Sequence, residues 1–321
     1  MEQYQKPHRT FPEQLEILKS RGLHVPDADV ALHHLRTVGY YTLGGYLYSM
    51  RELASIGGRQ VRLDRFLSDA SFDHLVELYD FDCRLRRLCL EALEAIERAI
   101  KVKVAYNVGE VDAHAHHTGS LIAADARTKS GGGPSRHESW LQDHTRKVTT
   151  RSHDAISGFV QKYGLKLPIW VATDAMDFGD ISRLFSLLDS SSQSRIAKGF
   201  ELLSGPQMGS WTRAMCGVRN IAAHHERLWN RRLVDFPMKP KGKEKKFFGE
   251  LDNQPQDAWS RPYAALLVIA CFMNQIKHSH DWAQRMGQLL DTLPVGPGVN
   301  YKALGAPNDW KQNPLWGLAT S

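Results

Sequence analysis

Apolar side chains recur at three- and four-residue steps along most of this chain, and that period predicts a mostly helical protein. The clearest helix spans residues 72–106, with room for a break. There Leu85, Leu88, Ala92, Ile96, Ala99 and Val104 form one stripe, while Arg84, Arg86, Arg87, Glu91, Glu94, Glu97 and Arg98 fill the opposite face. Nearer the start, Thr10-Phe11-Pro12-Glu13 has the form of a capping box, followed by Leu15, Ile17 and Leu18 and a stop at Gly22. A second short helix is expected over residues 27–39. The aromatic, glycine-containing stretch 40–50 suits a strand and a helix equally.

Periodicity is lost over residues 109–157, where Gly131-Gly132-Gly133-Pro134 marks an exposed, mobile turn. Because the helical pattern resumes afterwards, this stretch reads as an insertion or lid, not a boundary. Further elements are expected at 168–177, 181–188, 208–227, 259–276 and 282–293, with a lysine-rich loop at 239–246. The expected architecture is an all-α bundle. It has an N-terminal appendage (1–66), a helical core (67–293) interrupted by the insertion, and an irregular tail (294–321).

Composition adds little that is specific. Of 321 residues, 42% are hydrophobic and 24% charged, which suits a packed core and argues against global disorder. The net charge of +6 is compatible with an anionic partner such as nucleic acid. Cys83, Cys89, Cys216 and Cys271 form no CxxC pair. The opening residues lack the apolar segment of a secretory signal, and no apolar run reaches membrane-span length, so a soluble cytoplasmic protein is expected.

The chemistry concentrates between Ser210 and Asn230, in Arg219-Asn220-Ile221-Ala222-Ala223-His224. On a helix Asn220 and His224 lie one turn apart on one face, and the long Arg219 side chain reaches the same spot. Guanidinium binds phosphate oxygens bidentately, and imidazole exchanges protons near neutral pH. The group therefore suits a phosphodiester. His225, a further 100° round the helix, is assigned a supporting part. Glu94 and Glu97 either orient Arg219 or form a solvated face.

With its flanks, this block resembles the Abi-like (abortive infection) branch of the HEPN superfamily. The blocks that carry the resemblance follow in order: Lys6-Pro7, Gln14-Leu15 and Arg21-Gly22; Gly39-Tyr40-Tyr41 and Gly45-Tyr46; and Leu78-Tyr79-Asp80-Phe81-Asp82 with Leu85-Arg86 and Glu94-x-x-Glu97. After them come Leu167-Pro168-Ile169-Trp170, Phe178-Gly179 and Ser182-Arg183-Leu184, then Val218-Arg219-Asn220 through His224-His225-x-Arg227-Leu228-Trp229-Asn230-Arg231. Two positions depart from the pattern: Ala222, where relatives often carry cysteine, and Thr42, where many carry arginine. The resemblance implies a HEPN-type helical bundle, a homodimer that joins two motifs, and metal-independent cleavage of RNA in phage defence. Arg219, Asn220 and His224 would be catalytic, and no cofactor is implied.

Arg227, Trp229, Asn230 and Arg231 follow directly and form an RNA-binding candidate, with Trp229 serving either as core or as a stacking platform. His114, His116 and His117 beside Asp112 lack a second cluster at fixed spacing, so no metal site is expected. Two further readings stay open: an Abi protein that binds RNA without cutting it, and a toxin held by a protein partner.

Overall fold

The computed structural model describes residues 5, 7–129, 131–150, 154–202, 204–276 and 281–318, so Lys6 of the family's opening lies outside the described residues. Helix α1 (Phe11–Ser20) begins in the expected capping box: Thr10 accepts from the Glu13 amide, and the Glu13 carboxylate accepts from the Thr10 amide at 2.7 Å. Asp27 caps α2 (Ala28–Thr37). The ambiguous aromatic stretch is helical, as α3 (Tyr40–Leu47).

A hairpin follows that the sequence reading did not anticipate, β1 (Arg51–Ile56) antiparallel to β2 (Arg59–Phe66). Gly57 and Gly58 close it at φ 58° and 77°, the left-handed pair that a tight hairpin turn requires. Among the described residues the fold is otherwise helical.

The long helix α4 (Phe72–Gly109) is continuous for 38 residues. It buries Leu78, Phe81, Leu85, Cys89, Ala92, Ile96, Ile100 and Val104 at helical spacing. Short turns α5 (Ala115–Thr118) and α6 (Ala124–Arg127) lead to α7 (Arg136–Thr150) and α8 (Asp154–Tyr163). The supposed aperiodic stretch is thus largely helical. The inward face of α7 is His137, Trp140, His144 and Val148, and histidines read as polar in the sequence. Trp140 Nε1 donates to the Asp180 carbonyl at 3.1 Å, and Lys147 bridges Asp177 and Asp180 at 2.7 Å each, fixing α7 to the core.

The core continues through α9 (Ile169–Ala172), α10 (Phe178–Leu187), α11 (Ser190–Lys198) and α12 (Gly205–Ala223). It closes with α13 (Gly249–Asp252), α14 (Pro262–Ile276) and α15 (Trp282–Asp291). Every residue of α14 from Pro262 to Met273 is buried, the signature of a central helix. Helix α4 packs against α12, α14 and α15. The tail is irregular yet part of the core: Trp310, Leu315 and Trp316 are buried, and Trp316 Nε1 donates to the Tyr263 hydroxyl at 3.0 Å. One hydrophobic cluster runs from Leu15 to Trp316, so the appendage shares it. Among the described residues, no helix is long and apolar enough to cross a membrane.

Candidate functional site

Helix α12 starts at a Ser204 cap and carries the Arg219 block at its far end. It stops at Ala223, four residues short of the expected boundary. His224 is the C-cap, and His225 adopts the left-handed conformation at φ 58°. The His225 amide donates to the Ala222 carbonyl at 3.2 Å and the Glu226 amide to the Ile221 carbonyl at 3.0 Å, a Schellman turn. Asn220 and His224 still lie one turn apart, since the His224 amide donates to the Asn220 carbonyl at 3.0 Å.

Asn220, His224 and His225 are exposed and Arg219 is half-buried. Arg219 Nη1 donates to Asn220 Oδ1 at 3.2 Å, and Asn220 Nδ2 lies 3.8 Å from Cys216 Sγ. The amide is thereby held between guanidinium and thiol. Among the described residues Arg219 forms no ion pair. Glu94 pairs with Arg98 at 2.8 Å and Glu97 with Lys101 at 2.9 Å, and among the described residues neither forms an ion pair with Arg219. Each glutamate has a cation four residues along its own helix, the spacing at which opposite charges meet on one face. Glu97 still lies near Cys216, whose thiol burial pushes up to about 11, with Asp177 and Glu97 adding to the rise and Arg219 opposing it.

The RNA-binding candidates divide. Trp229 is 0% exposed and belongs to the core, so its ring is no stacking platform. Arg227 turns inward, donating to the Gly45 carbonyl at 2.6 Å and lying over the Tyr46 ring. Asn230, at φ 55°, accepts from Arg261 Nη1 at 2.8 Å. Arg231 is half-exposed and pairs with Glu226 at 2.7 Å.

Asp82, quoted above for the resemblance alone, and Arg86, expected on the polar face of the long helix but buried, organise this region. The fully buried Asp82 carboxylate accepts from the Tyr46 hydroxyl at 2.7 Å and from the amides of Trp229 and Leu228 at 2.6 and 3.2 Å. Arg86 Nε lies 3.5 Å from the same carboxylate, and its Nη1 is 3.5 Å from the Glu226 carbonyl. Burial pushes the Asp82 carboxyl up while its hydrogen bonds and Arg86 pull it down. Two polar residues on the inward face of a long helix were the available signal.

Among the described residues, no group of three or more His, Cys, Asp or Glu side chains is placed to hold a metal ion. The Asp112 carboxylate is used locally, accepting from the His114 amide and from Thr118 and Ser120. In the lysine loop, Lys243 pairs with Glu201 and Lys239 with Asp252, while Glu244 is buried.

No curated protein and no solved structure matches the chain. The sequence model of the family described as Abi-like protein matches residues 33–230, more than half of the chain and all of the Arg219–His224 block. The chain belongs to the Abi-like family.

Proposed function

We propose that this protein is a HEPN-type endoribonuclease of an abortive-infection system, cutting RNA by 2′-hydroxyl transesterification without a metal. One observation carries the reading: an arginine without an ion pair among the described residues, an amide and an imidazole share one accessible helix end. His224 takes the 2′ proton, and the 2′-oxygen attacks the adjacent phosphorus. Arg219 stabilises the charge of the pentavalent phosphorane, and Asn220, held by Arg219, positions the phosphate. The products are a 2′,3′-cyclic phosphate and a 5′-hydroxyl. Two copies of the chain join two such motifs, making the partner's His224 a candidate acid.

A single 2′-deoxy substitution tests the chemistry. Wild-type protein cleaves an RNA oligonucleotide at a mapped position, and removing the 2′-oxygen there abolishes cleavage while binding persists. Cleavage of the deoxy strand overturns the mechanism. Binding without cleavage of either strand replaces the enzyme by an RNA-binding protein.

A further inference from the structure

Among the described residues, three other than glycine adopt left-handed backbone: Glu201 at φ 54°, His225 at φ 58° and Asn230 at φ 55°. This conformation crowds a β-carbon, and glycine or asparagine is its usual occupant. Two of the three have side chains with a structural use. Glu201 pairs with Lys243, and Asn230 accepts from Arg261. His225 differs. Its side chain is exposed, and its only hydrogen bond among the described residues is the backbone one that closes the Schellman turn. Glycine closes such a turn without steric conflict, so the fold has no need of an imidazole there. A strained residue whose side chain nothing in the fold employs points to use by something outside the fold.

The turn also changes what His225 can reach. In a continuing helix it sits 100° from His224, and only one of the two serves the Asn220 face. The helix ends at Ala223, and the left-handed turn takes His225 off that projection. Two exposed histidines therefore follow one another at the terminus of the helix whose last turn carries Arg219 and Asn220.

We propose that His225 is the general acid of this site, acting with His224 of the same chain; the assignment rests on the RNA-cleaving reading above. As the 2′-oxygen–phosphorus bond forms, the 2′ proton passes to neutral His224. As the phosphorus–5′-oxygen bond breaks, the His225 imidazolium gives its proton to the departing 5′-oxygen. The two imidazoles then exchange protons with water and the cycle is complete. Each chain thus holds a whole acid–base pair, and His225 takes the acid role for which the partner's His224 was the candidate above.

A leaving group that needs no proton separates acid from base. The substrates are an RNA carrying the wild-type cleavage site and the same RNA with sulfur replacing the bridging 5′-oxygen. His225→Gly cleaves the normal RNA at least ~100-fold more slowly than wild type and cleaves the sulfur-bridged RNA at nearly the wild-type rate. It melts no lower than wild type, since glycine suits the turn. His224→Ala is slow on both substrates. Normal RNA cleaved by His225→Gly within about threefold of wild type overturns the proposal, as does an equal loss on both substrates. If wild type leaves both RNAs intact, the nuclease reading beneath the proposal is what fails.

Discussion

The Asp82 carboxylate accepts the backbone N–H of Trp229 at 2.6 Å, tying the long helix to the chain just beyond the candidate catalytic block. The Leu228 amide and the Tyr46 hydroxyl converge on the same group. One buried carboxylate thus joins the appendage, the long helix and the segment after α12. Asp82→Ala leaves three buried donors and the Arg86 cation short of their acceptor, a loss of about 3–5 kcal/mol. Urea unfolding at neutral pH measures it. A loss below about 1 kcal/mol would show that the carboxylate does not organise this region.

Trp229 and Arg231 are two residues apart and should behave oppositely. Trp229→Ala empties a core position and costs about 3–5 kcal/mol. Arg231→Ala, at a half-exposed surface pair, changes stability by less than about 1 kcal/mol. On the RNA reading it weakens RNA binding and lowers the salt dependence. Thermal melts and binding titrations at two salt concentrations check both.

Arg219→Lys retains the charge but not the planar fork. Loss of bidentate phosphate contact lowers cleavage by about tenfold or more while the melting temperature is kept. A lysine variant as fast as wild type would reduce the role of Arg219 to charge alone.

Buried histidines give the protein an acid-sensitive seam between α5 and α7. His116 is 1% exposed and His144 2%, and His144 stacks on Trp140 with ring centroids 5.2 Å apart. Burial, followed by neighbouring histidines, holds the His116 imidazole down to about 2; burial and His117 hold His144 down to about 4. Both are lowered in the folded state, so the unfolded chain binds protons first. Their contribution is present above about pH 6.5 and is lost as pH falls toward 4. Unfolding free energy should therefore drop by a few kcal/mol between pH 7 and pH 4.5, and His144→Leu should flatten part of that slope. An unchanged slope in the variant would contradict this account.

Where local chemistry dictates structure, the sequence was readable. The Thr10 cap, the α4 stripe and the apolar α14 follow from spacing and residue type. The α7 helix escaped because two of its buried positions are histidines, which carry no apolar signal. The hairpin escaped because exposed arginines interrupt its alternation, leaving Gly57-Gly58 as the clue. The candidate site was named from residue identities, with its shape hidden. A histidine gives no sign that it ends a helix in left-handed conformation. The tie from Asp82 to Trp229 depends on a contact spanning 147 residues, which no local pattern encodes.

The most direct measurement is the chemistry of the ends produced. Total cellular RNA is incubated in EDTA with wild type and with His224→Ala, and the new termini are mapped. The account predicts 2′,3′-cyclic phosphate and 5′-hydroxyl ends with wild type alone. Equal cleavage by the His224 variant, or 3′-hydroxyl and 5′-phosphate ends, would contradict it.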